Sequence, residues 1–313
     1  MSGVDLSLQI GNNGRYAPAR VLVLGEVLWD IFPDSKRLGG APLNFAVHGQ
    51  RLGHTPLLIS ALGEDNLGRQ ALEAIASLGI DTTALETTNQ FPTGTARVQL
   101  GSAGQTTFVV YRPAAFDAVT VSEEQIERIK DWSPEWFYFG TLFPATKQGH
   151  ATLFQLLRVV PKAIRFYDLN LRPGFDSPTV VSELLSVAQV VKLNLEEMKA
   201  VSQFAGLPSE LEMFCRRGAA RFEWDAVCVT LGAHGCAVFA GGEYVEAAGF
   251  PVDIADTVGA GDAFAAAFLH GLTHEWEIAK IAEFSNRIGA LVASRPGAIP
   301  EWTLAEAAGF ERC

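Results

Sequence analysis

Short apolar runs recur along this chain at intervals that leave room for a helix between them. That rhythm constrains the fold more than any other feature. Residues 21–24 read Val-Leu-Val-Leu, and apolar side chains also dominate 57–60, 163–168, 190–193 and 226–231. Strict polar–apolar alternation would mark strands with one face in water, whereas near-continuous apolar runs mark strands covered on both faces. Helical stretches stand between them. Pro42 opens one that Gly53 closes, and residues 67–78 form another closed by Gly79. The alternation predicts an α/β fold, a doubly wound and mostly parallel sheet flanked by helices. Ligands of such sheets sit beyond the carboxyl ends of the strands.

One region breaks the rhythm. Residues 95–100 and 107–111 are strand-like, rich in Thr, Val and aromatics, and Gly-Ser-Ala-Gly at 101–104 reads as the hairpin turn between them. We expect a small β-sheet lid built mainly from 91–117, with part of 31–40. Residues 1–19 are Gly- and Asn-rich with little apolar pattern and read as a loose arm, leaving 20–313 as the folded domain.

With 313 residues, 48% of them hydrophobic, the chain can bury a large core, and its formal charge of -11 argues against nucleic acid or an anionic membrane as partner. No apolar run reaches membrane-spanning length and the first residues lack a signal-peptide pattern, so the cytoplasm is the expected location. Cys215, Cys228, Cys236 and Cys313 form no CxxC pair, and Cys228 and Cys236 read as buried small hydrophobes.

The most telling string is 256–262, Asp-Thr-Val-Gly-Ala-Gly-Asp, running straight into the apolar stretch 263–269. The first turn of a helix offers unpaired N–H groups and positive dipole potential, and glycines let an anion approach them. An acid in that mouth would repel a phosphate. It makes sense as a base that takes the proton from a nucleophile attacking one. Asp as a plain helix cap is the competing reading.

Other polar clusters fall just past strand ends: Gly25, Glu26 and Asp30; Asp168, Asn170 and Arg172; Asn194 and Glu197; Thr230, Gly232 and Gly235. Any one alone reads as a solvated loop, and Asn194 as a cap for the next helix. Their joint placement at one sheet edge is the stronger signal. Residues 39–44, Gly-Gly-Ala-Pro-Leu-Asn, lack the Gly-Lys-Ser/Thr of a P-loop, and Pro42 removes a donor. They suit close backbone approach to a neutral ligand, with the Asn44 amide for its hydroxyls.

These motifs, in this order from about 21 to 302, resemble the ribokinase-like sugar kinases of the phosphofructokinase-B family, nearest the bacterial fructokinase branch. The carriers are 256–262 with its helix, the Gly-Glu opening at 25–26 with 39–46, Asp-Leu-Asn-Leu-Arg at 168–172, Asn-Leu-Glu-Glu at 194–197 and Thr-Leu-Gly-Ala-His-Gly at 230–235. The resemblance implies ATP-dependent phosphorylation of a sugar primary hydroxyl, most simply fructose to fructose 6-phosphate. Ribose, 2-keto-3-deoxygluconate or a nucleoside remain alternative substrates. It implies Asp262 as base, with N–H groups of Gly259, Ala260 and Gly261 as the anion hole and Arg172 balancing phosphate charge. Asp30, Gly40, Asn44 and Asn170 would hold the sugar, closed over by Arg97, Arg112 and Asp117. Asn194, Thr230, Gly232, Gly235 and Asn286 would line the nucleotide side, and Glu197 would reach Mg²⁺ through water. Asp256 with Val258, Val292, Arg295 and Gly297 resembles a potassium site, although Glu301 departs from the small hydroxyl residue common there. Partners would be the sugar and ATP, with a homodimer through the lid sheet. Two other classes remain in view. A non-catalytic binding protein on this scaffold would be expected to lack the base or its glycines. A dinucleotide oxidoreductase would need Gly-x-Gly-x-x-Gly after the first strand, where only Gly25 stands.

Overall fold

The computed structural model describes residues 18–100 and 106–310. Most of the N-terminal arm, the turn at 101–104 and Cys313 lie outside the described residues. The chain runs β1 (Arg20–Leu24), β2 (Leu28–Ile31), β3 (Lys36–Gly39), α1 (Ala41–Arg51), β4 (Thr55–Gly63), α2 (Asn66–Ser77), β5 (Leu85–Thr88), β6 (Gly94–Leu100), β7 (Thr106–Tyr111) and α3 (Glu123–Trp132). It continues β8 (Trp136–Gly140), α4 (Lys147–Val159), β9 (Ile164–Asp168), α5 (Pro178–Val187), β10 (Val190–Asn194), α6 (Leu195–Ala205), α7 (Leu211–Phe222), β11 (Ala226–Thr230), β12 (Cys236–Ala240), β13 (Glu243–Ala247), α8 (Ala260–Thr273), α9 (Ile278–Ala293) and α10 (Leu304–Gly309).

The large sheet has the order β13-β12-β11-β10-β9-β8-β1-β4-β5. Pairing is parallel from β11 across to β5, and antiparallel only at β12 and β13. Succession therefore reverses at β1, with β4 on one side and β8 on the other. The carboxyl ends of β1 and β8 bound the switch point where such sheets bind ligands.

Alternate residues of β1 serve opposite faces. Val21 and Val23 join one core with residues of α1, α8 and α9, while Leu22 and Leu24 join a second with residues of α4 to α7. The near-continuous apolar runs are thus explained by helices on both sides. In α8 the small side chains of Ala263, Ala265, Ala266 and Ala267 let the helix lie close between α1 and α9, and residues 262–269 are all buried.

The small sheet has the order β3-β2-β6-β7. Its β6 and β7 strands fall where the sequence placed them. The sequence reading stopped short of β2, which lies parallel to β6 and antiparallel to β3. Four residues are too few to display a period. The aromatic strand β8 and the β12–β13 hairpin were likewise not singled out from sequence.

Candidate active site

A cleft of about 370 Å³ opens at the carboxyl ends of β1, β9, β10 and β11, and Leu28, Asp30, Ala96 and Val110 of the small sheet form one wall. Its floor brings together Glu26, Gly40, Asn44, Asn170, Arg172, Lys192, Asn194, Glu197, Thr230, Gly259, Gly261 and Asp262. Segments more than two hundred residues apart meet here, because the mouths of α1 and α8 and the ends of β1, β9, β10 and β11 all open on the same edge of the sheet.

Asp262 sits in the first turn of α8, behind the N-cap Gly259, whose φ of 80° is left-handed. A Cβ at Gly259 would lie 2.2 Å from the Ala298 carbonyl oxygen, so both conformation and space require glycine. Asn44 Nδ2 donates to Asp262 Oδ2 at 2.8 Å. The Asn44 Oδ1 atom is buried with no partner among the described residues, which leaves an acceptor for a ligand hydroxyl. Burial and the Asp168 charge push the Asp262 carboxyl up to about 7, against the Asn44 hydrogen bond, Lys192 and Arg172. Burial also raises Glu26 and Asp30 to about 7, and Arg172 opposes the rise at both. Gly40 is the N-cap of α1 at φ 111°, and a Cβ there would meet the Glu26 carbonyl oxygen at 2.4 Å.

Beneath this floor Lys192 Nζ donates to both Asp168 oxygens, at 2.8 and 3.1 Å, and the Tyr138 hydroxyl donates to Asp168 at 3.2 Å. Burial works against the Lys192 ammonium, but Asp168 and Glu197 outweigh it and hold its pKa above the usual value. A Cβ at Gly261 would lie 3.6 Å from Lys192 Nζ, so a fixed cation stands beside the mouth of α8. Lys192 was missed in the sequence reading; the signal was a lysine inside an otherwise apolar strand.

A second cavity, of about 430 Å³, is walled by Phe250, Pro251, Val252, Ile254, Phe264 and Ala290 and includes Gly232, Gly235 and Asn286. Thr230, Thr257 and Gly261 line both cavities. A polar cleft and an apolar one therefore meet at the mouth of α8, with Asp262 on the polar side. A ligand on each side would present its reacting ends to the same helix turn.

Residues 24–304 match the family described as pfkB family carbohydrate kinase. The chain belongs to that family. It is 31% identical to the fructokinase of Escherichia coli over 300 residues, covering 90% of this chain and 95% of that one. The solved fructokinase of Xylella fastidiosa with bound ATP superposes with a TM-score of 0.80 at 25% identity, covering 93% of this chain and 97% of that one. The fructokinase of Vibrio cholerae O395 bound to fructose, ADP and calcium gives 0.79 at 25%, covering 93% and 98%. A double mutant of the same protein bound to fructose, ADP and potassium gives 0.80 at 25%, covering 95% and 99%.

In this carbohydrate kinase several expected residues stand away from the cleft or are otherwise engaged. Arg97 follows Ala96, which faces the cleft, so it projects from the opposite face of the small sheet, where its guanidinium lies over the Tyr111 ring at 6.0 Å. Arg112 and Asp117 do not line the cleft. They form a buried ion pair with each other, Arg112 Nη1 donates to the Leu142 carbonyl at 2.8 Å, and Asp117 accepts from the Ala114 N–H at 2.9 Å. Asn194 lies on the polar cleft rather than in the apolar cavity, and its side chain caps α6 by accepting from the Glu197 N–H at 2.9 Å. The Glu197 carboxylate returns the bond to the Asn194 N–H at 2.7 Å and accepts from Leu171 N–H at 2.8 Å. Asn286 spends its amide donor on the Ala247 and Ala248 carbonyls at 3.1 and 3.3 Å, bracing the cavity wall.

Two of the residues expected around potassium, Asp256 and Val292, already accept hydrogen bonds. Asp256 Oδ1 accepts from the Val258 N–H at 3.0 Å, and Oδ2 accepts from the Gly297 N–H at 3.1 Å and from Arg37 at 2.5 Å. The Val292 carbonyl accepts from the Arg295 N–H at 3.0 Å. Arg37 was not singled out from sequence.

Proposed function

We propose that this carbohydrate kinase transfers the γ-phosphoryl group of ATP to the primary hydroxyl of fructose, giving fructose 6-phosphate. The carrying observation is Asp262, a buried carboxylate with a raised pKa at the seam of a polar and an apolar cavity. The fructose assignment draws on the fructokinases to which the chain is similar. Asp30, Asn44 and the backbone at Gly40 orient the sugar hydroxyls in the polar cleft. The adenine lies in the apolar cavity, between Phe250 and Ala290, with its phosphates directed to Gly261.

The Asp262 carboxylate takes the proton of the primary hydroxyl as that oxygen bonds to the γ-phosphorus, and the bridging P–O bond breaks to release ADP. A pKa near 7 suits a base working at neutral pH. N–H groups of Gly259, Ala260 and Gly261 face the phosphoryl oxygens, with Lys192 and Arg172 supplying positive charge nearby. A positioned base contributes about 10²–10⁴ in rate. Each preorganised anion-hole donor contributes on the order of 10²–10³. No group of three or more His, Cys, Asp or Glu among the described residues could hold a metal alone. That fits Mg²⁺ arriving on the nucleotide, reached from the protein by the single carboxylate of Glu197. When bound, the metal neutralises charge on the β- and γ-phosphates. The small sheet acts as a lid that excludes water, and its edge strand β7 exposes Val109 and Tyr111, which favours pairing of two copies there.

The test is ADP release from Mg²⁺-ATP over a panel of sugars. Fructose should give the highest kcat/KM. A ribose, 2-keto-3-deoxygluconate or nucleoside preference would replace the substrate assignment, and release with no sugar would overturn catalysis.

A further inference from the structure

The second acid of the helix-mouth string raises a charge problem. Asp256 stands next to a loop built to receive a phosphoryl group, and an uncompensated carboxylate there would repel it. Its two oxygens hold the loop together, since they accept from the Val258 N–H before Gly259 and from the Gly297 N–H before Ala298. The backbone of Ala298 lies where a Cβ on Gly259 would stand, so these two segments pack directly against each other at the anion hole. Asp256 is thus a clamp across the two segments that shape the hole.

The counter-charge comes from the lid. Arg37 lies on β3 and reaches Asp256 Oδ2 at 2.5 Å, joining residues 219 positions apart. In the lid ladder Arg37 is directly opposite Asp30, the cleft acid of β2. Its guanidinium also lies 4.9 Å over the Phe32 ring, which steadies it although its side chain is 43% exposed. A guanidinium and two N–H groups take three of the roughly four lone-pair sites of this carboxylate, and a second cation placed beside it would face the Arg37 charge.

We propose that Arg37 is the tethered counter-cation of the anion hole. Seated with the lid, it neutralises Asp256 and holds the clamp, so the loop reaches its phosphate-receiving shape without free potassium. Arg37 is a positioning residue acting through Asp256, and lid seating and hole geometry are one coupled event. This rests on the kinase reading.

The test uses the full chain in choline chloride or potassium chloride at equal ionic strength. Wild-type kcat should change less than about twofold on exchanging choline for potassium. Arg37→Ala should lose roughly tenfold in choline, within the range typical of coupling between sites, and potassium should restore most of it. Arg37→Lys should retain the wild-type rate, and Asp256→Asn combined with Arg37→Ala should lose less than the sum of the two. An independent readout needs no catalysis. Without substrates, potassium should raise the melting temperature of Arg37→Ala by roughly 2 °C or more and leave wild type unmoved. Several-fold potassium activation of wild type, or Arg37→Ala as fast as wild type in choline, would overturn the proposal. So would equal thermal shifts in the two proteins, and this holds even if no sugar supports ADP release, the result that bears on the kinase reading instead.

Discussion

Replacing Asp262 by Asn tests the centre of the mechanism, because it keeps the shape of the side chain and removes its capacity to take a proton. With the carboxyl pushed up to about 7, half of the wild-type sites carry the base form at pH 7. That fraction falls to about a tenth at pH 6 and about a hundredth at pH 5, so log kcat/KM should fall below neutrality with a slope of at least one. A carboxylate at its ordinary value of 3.8 would leave the profile flat down to about pH 5. Glu26 and Asp30 are raised to the same region, so the wild-type limb belongs to the three acids together. The Asp262→Asn variant isolates the role of this one side chain. Measured at pH 8, where all three acids are ionised in wild type, it should lose about 10² or more in kcat while the sugar KM stays within a few-fold. The assay is initial-rate ADP release across pH 5 to 9 for both proteins. Turnover of Asp262→Asn within a few-fold of wild type at pH 8 would refute Asp262 as the base.

Two other changes probe the frame around it. Gly259→Ala puts a Cβ 2.2 Å from the Ala298 carbonyl and asks a non-glycine to hold φ 80°, so the loop must move. Displacing one anion-hole donor should reduce kcat by about 10²–10³ with the fold intact by circular dichroism, and unchanged turnover would show that the loop is not the hole. His48, buried on α1, accepts from Trp302 Nε1 at its Nδ1 (3.1 Å), so its Nε2 carries the proton facing the Ala298 carbonyl (3.0 Å). Burial holds its pKa at about 4, against 6.5 in the unfolded chain. Because the folded value is the lower one, the unfolded state takes up the proton first, and stability is lost as pH falls from 6.5 towards 4. At pH 5 that loss is about 2 kcal/mol. His48→Phe should be less stable than wild type at pH 8, and urea melts should show the gap narrowing by about that amount at pH 5; an unchanged gap would count against a neutral buried imidazole.

Much of the architecture was legible because its causes are local. Alternate Val and Leu in β1 face two different cores, and that double burial is written as a continuous apolar run. The string at 256–262 marks a helix mouth through its glycines, and the small residues after it mark a helix that can lie close to its neighbours. The sequence by itself therefore determined the parallel sheet, the helix mouth and the acid within it. What it left open concerns partners. Asn194 caps a helix and also lines the cleft, and only the position of β10 makes both true. Arg112 and Asp117 are five residues apart and read as charges awaiting a ligand, yet the turn between them closes each upon the other. Lys192 went unremarked within the apolar run 190–193, and its partner Asp168 lies on the neighbouring strand β9. Asn44 with Asp262 and Arg37 with Asp256 span 218 and 219 positions. Periodicity and capping act over a few residues, whereas hydrogen-bond and charge partners depend on which strands, loops and helix mouths the fold brings together across the chain, and only the tertiary structure decided that.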